Sequence, residues 1–235
     1  MNVAIIAAAG QGMRLKSGRA KQFLELDGVP VIIHTLRRFE QCAAIDEIIV
    51  VLPAADVAGF LELAGRYGLL KLARVVAGGS TRAESVWRGL KAVRATTAGI
   101  LAVHDGVRPF VTPEEISRTV AAAEKSGAAI LAAPAIDTIK EVQDGQVRRT
   151  LARDDLRRAL TPQCFRYALL REAYERAEDL GADVTDDSFL VERLGISVTI
   201  VEGSARNIKI TRPEDLAFAE VLLKQESEVR SQESE

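Results

Sequence analysis

Four cations stand close together near the start of the chain, Arg14, Lys16, Arg19 and Lys21, inside the segment Ala7-Ala8-Ala9-Gly10-Gln11-Gly12-Met13-Arg14-Leu15-Lys16-Ser17-Gly18-Arg19-Ala20-Lys21. Glycines and small side chains let backbone N–H groups approach phosphate oxygens, and fixed positive charges answer a polyanion. The apolar run Val3-Ala4-Ile5-Ile6 just before it supplies a strand end as a rigid mount. A loop so composed suits a polyphosphate. Leu15 excludes two familiar versions of it: a dinucleotide fingerprint needs its third glycine there, and a P-loop needs glycine before Lys16-Ser17. The plain alternative is a glycine-rich surface turn with solvated charges.

Two later segments carry similar chemistry. Gly78-Gly79-Ser80-Thr81-Arg82-Ala83-Glu84-Ser85-Val86 sets two glycines at a predicted strand end beside a helix start, where backbone amides read a base or receive an anion. Thr81 and Glu84 also have a purely structural use as helix caps, a use that Ser85 lacks. His104-Asp105-Gly106-Val107-Arg108-Pro109 follows the apolar run Ile100 to Val103, so Asp105 sits at a strand tip. A carboxylate there can hold Mg²⁺ between phosphates, and Arg108 can offer a two-pronged contact to a second phosphate. An Asp-Gly turn with a surface arginine fits the same residues. His104 reads as a packed or orienting residue, because nothing beside it marks a nucleophile.

The elements that must carry these residues are well patterned. Val3–Ala8, Glu47–Leu52, Leu72–Ala77, Ile100–His104 and Ala128–Ala133 are nearly continuous apolar runs, which predicts strands buried on both faces. Between them, 31–41, 54–67, 81–95 and 113–125 have helical periodicity, so the fold class is α/β: a Rossmann-like, mostly parallel sheet with helices on both faces. Thr81-Arg-Ala-Glu84, Thr112-Pro-Glu-Glu115 and Thr211-Arg-Pro-Glu214 match the capping-box pattern. After Pro134 the pattern breaks into two strands around Asp144-Gly145, a protruding hairpin of the kind that serves as a dimer arm. A helix over 167–179, strands at 197–201 and 207–210, and a last helix over 213–223 complete the prediction. We read one domain, 1–224, with an arm at about 136–155 and a disordered polar tail at 225–235.

Composition narrows the function classes. With 48% hydrophobic and 27% charged residues the chain is an ordinary globule, and a net charge of -2 gives no global field for nucleic acid or an anionic membrane. No run approaches the ~18 apolar residues of a membrane span, and no cleavable leader is visible. Cys42 and Cys164 lack the spacing of a disulfide scaffold or zinc site, so a reducing cytoplasm is the expected location.

Taken in order, Ala7-Ala-Ala-Gly-x-Gly-x-Arg14, Lys21-Gln22, Gly78-Gly79-x-x-Arg82-x-x-Ser85-Val86, His104-Asp105-x-x-Arg108-Pro109, Ala133-Pro134-x-x-Asp137-Thr138-x-Lys140, Leu160-Thr161-Pro162-Gln163, Val184-Thr185-Asp186-Asp187 and Asn207-Ile208-Lys209-x-Thr211-x-Pro213-Glu214-Asp215 resemble the 2-C-methyl-D-erythritol 4-phosphate cytidylyltransferases from residue 3 to about 223. The resemblance implies a nucleotidyltransferase of the non-mevalonate isoprenoid pathway that uses CTP and Mg²⁺ to join CMP to methylerythritol phosphate. It implies that Arg14 and Lys21 stabilise the transferring phosphates, that Ala8, Ala9, Gly10 and Gly12 line the triphosphate, that Gly79 and Ser85 read cytosine with Gly106 also at the nucleotide, and that Asp105 holds the metal. Arg108, Thr161, Thr185 and Lys209 would surround the polyol phosphate together with Asp105, while Thr138 and Arg153 would reach the partner's site in a homodimer built on the arm; Arg153 and Lys209 are also counted among the catalytic groups.

The chemistry agrees with those residue types. A phosphate monoester is already ionised at neutral pH and attacks the α-phosphorus without a general base, so charge neutralisation and placement carry the catalysis. Gly106-Val107 stands where small alanines are usual, and Arg157 and Arg158 compete with Arg153 for its role. A ribitol 5-phosphate cytidylyltransferase shares the loop and chemistry, and a non-catalytic nucleotide-binding module is the alternative from another class. An NAD-dependent oxidoreductase is disfavoured by Leu15.

Overall fold

The computed structural model describes residues 1–10, 20–177 and 184–232, with side chains as far as 228. Gly12 and Arg14 therefore lie outside the described residues. In chain order come β1 (Val3–Ala7), the short pair β2 (Glu25–Leu26) and β3 (Val29–Pro30), α1 (Val31–Gln41), β4 (Glu47–Leu52), α2 (Val57–Gly65), β5 (Leu72–Ala77), α3 (Arg82–Lys91), β6 (Ile100–Asp105), α4 (Pro113–Ser126) and β7 (Ala128–Pro134). There follow β8 (Lys140–Gln143), β9 (Gln146–Thr150), β10 (Arg157–Arg166), α5 (Tyr167–Glu175), α6 (Asp187–Glu192), β11 (Thr199–Glu202) and α7 (Pro213–Gln232). Seven strands form one sheet in the order β11-β7-β10-β6-β1-β4-β5, parallel except for β10, which runs antiparallel between β6 and β7.

The continuous apolar strands have a two-sided cause. Side chains alternate across a strand, so successive residues of β1 and β4 feed opposite cores. Ala4, Ile6, Ile48, Val50 and Leu52 pack with Ile33, Leu36 and Phe39 of α1, Phe60 of α2 and Ile116 and Val120 of α4. Val3, Ile5, Ile49 and Val51 pack on the other face with Val86 and Leu90 of α3, Leu170 and Tyr174 of α5 and Val191 of α6. A third cluster of Leu26, Val31, Val107, Phe110, Ile210, Ala219 and Leu222 seats α7 against the β2–β3 corner and the loop after β6. The carboxyl ends of β1, β5 and β6 thus open on one side of the sheet, where ligands of such folds gather.

Several boundaries differ from the sequence expectation. Beyond α7's expected end at Leu223, the segment expected to be a disordered tail is helical as far as Gln232, and Glu226 accepts a hydrogen bond from Arg38. The expected strand at 207–210 is absent: Ile210 N–H reaches Val107 O at 2.9 Å, but no ladder forms. The predicted capping box at Thr112 has both reciprocal bonds, with Pro113 in its first turn, and at Thr81 the hydroxyl accepts the Glu84 N–H at 3.1 Å. At Thr211 the returning carboxylate is that of Asp215, which takes the N–H groups of Thr211 and Arg212 at 2.7 and 2.8 Å. Strand β10 and helix α6 are additions to the predicted set. The hairpin β8–β9 forms as expected around Asp144 and Gly145, both with positive φ.

Candidate active site

A cavity of about 770 Å³ lies at the carboxyl ends of β1, β5 and β6, lined by Ala8, Ala9, Gly10, Lys21, Gly79, Ser85, Asp105 and Lys209 among others. Two glycines make its walls close-fitting. A Cβ on Gly78 would stand 2.2 Å from Ala9 Cβ, and one on Gly106 would stand 2.7 Å from Ala8 Cβ, so the three segments approach more closely than alanine permits. Ser85 has a local duty after all: its hydroxyl donates to Thr81 O at 2.8 Å and accepts the Gly79 N–H at 3.1 Å, fixing the glycine turn at the cavity wall.

Asp105 is the electrostatic centre. Its Oδ1 pairs with Arg82 Nε at 3.0 Å, and its Oδ2 with Lys209 Nζ at 2.8 Å and Arg108 Nε at 3.3 Å. Burial by itself raises the Asp105 carboxyl, but the charges of Arg82, Lys209 and Arg108 overcome it and hold the group well below the usual carboxylate range. Arg82 Nη2 also pairs with the fully buried Asp187 at 2.9 Å. Burial pulls the Arg82 guanidinium down, and Asp187 with Asp105 more than reverses that, raising it well above its ordinary value. Asp187 is held in turn by Tyr174 Oη at 2.6 Å and by its own N–H on Gln163 Oε1 at 3.0 Å.

The backbone of Asp105 is fixed from behind. His104 is fully buried, with Nε2 3.1 Å from Arg108 O and Nδ1 2.9 Å from Thr161 Oγ1. A carbonyl only accepts, so the Nε2 proton faces Arg108 and Nδ1 accepts from the Thr161 hydroxyl. That hydroxyl oxygen accepts the Asp105 N–H at 3.2 Å. Burial pushes the His104 imidazole down to about 3, so it is neutral and orients rather than titrates near neutral pH. Thr161 is itself buried, and its hydroxyl serves this chain of bonds.

A second, smaller cavity of about 260 Å³ adjoins the first, lined by Arg108, Arg158, Leu160, Asn207 and Lys209 with their neighbours. Lys209 lines both. The structure thus brings together Ala8, Ala9, Gly10, Lys21, Gly79, Ser85, Asp105 and Lys209 at one cavity and Arg108 with Lys209 at the next. Gly106 lies just behind, its N–H on Ala7 O at 2.9 Å. Thr138, Arg153 and Thr185 are exposed and line neither cavity. Sequence reasoning gave no role to Arg82, Asp187 or Gln163. Their signal was present, since Arg82 belongs to the glycine-turn motif and Asp187 follows Asp186, but neither spacing reveals that they meet.

Among the described residues no group of three His, Cys, Asp or Glu side chains gathers to hold a metal. Among the described residues that line the main cavity, Asp105 alone offers a carboxylate. This donor set suits Mg²⁺, which commonly takes one or two carboxylates and completes its shell with substrate phosphates and water, and does not suit an all-protein cage.

Comparison with known proteins points the same way. The family model described as 2-C-methyl-D-erythritol 4-phosphate cytidylyltransferase (IspD) matches residues 2–225. Proteins of that name from Syntrophus aciditrophicus and Bacillus velezensis are 47% and 46% identical to this chain, covering 95% and 96% of it and 96% and 97% of their own lengths. The solved 4-diphosphocytidyl-2C-methyl-D-erythritol synthase of Anaerococcus prevotii superposes with a TM-score of 0.84 at 35% identity, over 95% of this chain and 96% of that one. The 2-C-methyl-D-erythritol 4-phosphate cytidylyltransferase of Thermus thermophilus gives 0.74 at 36% identity, over 94% and 98%.

Proposed function

The chain belongs to the 2-C-methyl-D-erythritol 4-phosphate cytidylyltransferase family, and on that premise we propose how its residues divide the work of the reaction. The protein transfers CMP from CTP to 2-C-methyl-D-erythritol 4-phosphate in the non-mevalonate isoprenoid pathway, forming 4-diphosphocytidyl-2-C-methyl-D-erythritol and pyrophosphate. Ribitol 5-phosphate transfer, NAD chemistry and a non-catalytic module are not favoured by that family match.

The observation that carries the residue assignment is Lys209, shared by the two cavities and 2.8 Å from Asp105. The larger cavity takes CTP and the smaller one the polyol phosphate, so donor and acceptor phosphates meet at this lysine. An oxygen of the polyol phosphate attacks the α-phosphorus in line; the new P–O bond forms as the bond to pyrophosphate breaks, and no proton has to move. Arg14 and Lys21 neutralise charge on the transferring phosphates, Ala8, Ala9, Gly10 and Gly12 line the triphosphate, and Gly79 and Ser85 read the base, with Gly106 behind them. Arg108 and Lys209 position the polyol phosphate from the cavity wall, Thr161 acts through its bonds to His104 and Asp105, and Thr185 would reach the substrate from outside the two cavities. Asp105 would hold Mg²⁺, which supplies charge neutralisation at the phosphates when bound.

The hairpin β8–β9 is the dimer arm in this proposal. Ile136, Val142 and Val147 are 69%, 58% and 61% exposed along it, an apolar stripe that a partner would cover. Thr138 and Arg153, at its base, would then complete the partner's site, which accounts for their distance from this chain's own cavities. Two buried free cysteines suit a reducing cytoplasm.

Purified protein incubated with CTP, 2-C-methyl-D-erythritol 4-phosphate and Mg²⁺ is expected to release pyrophosphate, with ribitol 5-phosphate a poor substitute and chelator abolishing turnover. Arg14→Ala or Lys21→Ala is expected to lower kcat about a hundredfold, the loss of roughly 3 kcal/mol of transition-state stabilisation. Equal turnover of the two polyol phosphates, or undiminished kcat in both variants, overturns the assignment.

A further inference from the structure

The three arginines after the hairpin have separate placements. Arg157 spends Nη1 on the carbonyls of Asp154 and Leu156, at 2.8 and 2.9 Å. Arg153 is 61% exposed and makes a long 3.4 Å bond to Ile136 O. Arg158 lines the smaller cavity, and among the described residues it has no carboxylate or carbonyl partner. Its charge acts on Arg108: burial lowers the Arg108 guanidinium, Asp105 partly restores it, and Arg82 and Arg158 lower it further. Three cations, Arg108, Arg158 and Lys209, thus line one small cavity, and Arg158 is the one with no counter-charge of its own.

A second, independent feature of that cavity points to a ligand. Asn207 is 1% exposed, and its Nδ2 donates to Thr161 O at 2.8 Å while its Oδ1 has no partner. A buried carbonyl oxygen left unpaired is costly, and a hydroxyl donor would satisfy it. Cations together with an acceptor for a hydroxyl match a phosphate monoester that also carries hydroxyls.

We infer that Arg158 binds the phosphate of the polyol substrate within its own subunit, and that Asn207 Oδ1 accepts a hydrogen bond from one of that substrate's hydroxyls. This rests on the smaller cavity being the polyol-phosphate site. Arg158 sits on β10, paired with Ala133 of β7, so its anchor is sheet rather than loop. A site mounted on a strand holds its geometry better than one on a hairpin tip. The cis arginine of this chain therefore adds to whatever the partner's arm supplies.

The test is steady-state kinetics of the dimeric enzyme carrying Arg158→Ala, Arg158→Lys or Arg108→Ala, together with binding of 2-C-methyl-D-erythritol 4-phosphate measured by calorimetry. A charge-assisted hydrogen bond corresponds to roughly a ten- to hundredfold effect. Arg158→Ala is expected to raise KM for the polyol phosphate by about that factor and leave KM for CTP unchanged, with Arg158→Lys recovering part of the loss. An unchanged KM for the polyol phosphate in Arg158→Ala, alongside a raised one in Arg108→Ala, overturns the role of Arg158 and leaves the cavity assignment standing. Unchanged values in both overturn the cavity assignment itself. Asn207→Leu, close in size and without the acceptor, is expected to raise the Kd for 2-C-methyl-D-erythritol 4-phosphate about tenfold and leave that for inorganic phosphate, which has no polyol hydroxyl, unchanged; equal effects on both ligands would refute the acceptor role.

Discussion

Arg82→Ala is expected to cost the protein a large part of its stability, because one side chain neutralises two buried carboxylates. Arg82 lies 3.0 Å from Asp105 and 2.9 Å from Asp187, whose side chains are 7% and 0% exposed, and is itself 26% exposed. At about 3 Å and an effective dielectric near 20, each pair is worth roughly 5 kcal/mol of attraction before desolvation is charged against it. Desolvation cancels most of that sum, but it does not reverse when only the cation is removed. Breaking a buried pair from one side typically costs about 3–5 kcal/mol. For a chain of this size that corresponds to a fall in Tm of roughly 6–20 °C. Urea unfolding of the wild type, Arg82→Ala, Asp187→Asn and the double variant reads both the loss and the coupling. The double variant is expected to be about 1–3 kcal/mol more stable than the summed losses of the singles predict. A loss under about 1 kcal/mol, or strict additivity, would refute the idea that Asp187 exists to hold Arg82.

Two further outcomes are expected. Because His104 is held near 3 against an unfolded value of 6.5, the unfolded chain binds more protons between those limits, so stability rises with pH across that window and is flat above it. Between pH 7.5 and 5 this contributes a loss of about 2 kcal/mol, to which His34, lowered chiefly by burial, adds in the same direction; subtracting the slope of His104→Gln in urea titrations isolates the first, and equal slopes would contradict it. Asp105 acts in the same direction but lower down, its contribution complete above about pH 5 and lost as pH falls through its depressed folded value. Val142→Asp with Val147→Asp is expected to give a folded monomer by sedimentation, with activity reduced at least tenfold, whereas a fully active dimer would exclude the hairpin as the arm.

How much of this was legible in the chain differs by element. The central strands were, because burial on both faces leaves unbroken apolar runs such as Glu47–Leu52, and α1 was read to its residue limits. Strand β10 was not. Arg157 and Arg158 give it a polar start, and Pro162 argues against a central strand because proline donates nothing to a ladder. The chain resolves this with a register shift between Ala159 and Gln163 against β7. The same blind spot hid Gln163 and its hold on Asp187, since contacts between β10 and α6 span 24 residues and leave no periodic trace. The segment 207–210 misled in the other direction: its alternating apolar residues face the third core cluster through Ile210 without a neighbouring strand. At the site, the motifs named Lys21, Ser85, Asp105 and Lys209, which meet at one cavity, but also Thr138, Arg153 and Thr185, which line neither, and the bond of Arg82 to Asp187 left no trace in their spacing.

The hydrogen bonds behind Asp105 form a one-way circuit. Arg108 O can only accept, which orients the His104 ring; the ring nitrogen then dictates where the Thr161 proton goes, and the remaining lone pair of Thr161 receives the Asp105 N–H. No bond in this series can be reversed without moving a proton onto an imidazole that resists protonation. The loop from 104 to 108 consequently reaches its working shape when the protein folds, and substrate meets a carboxylate whose backbone has nothing left to order. Whatever entropy the reaction requires of Asp105 is lost during synthesis of the fold, once, rather than at each turnover.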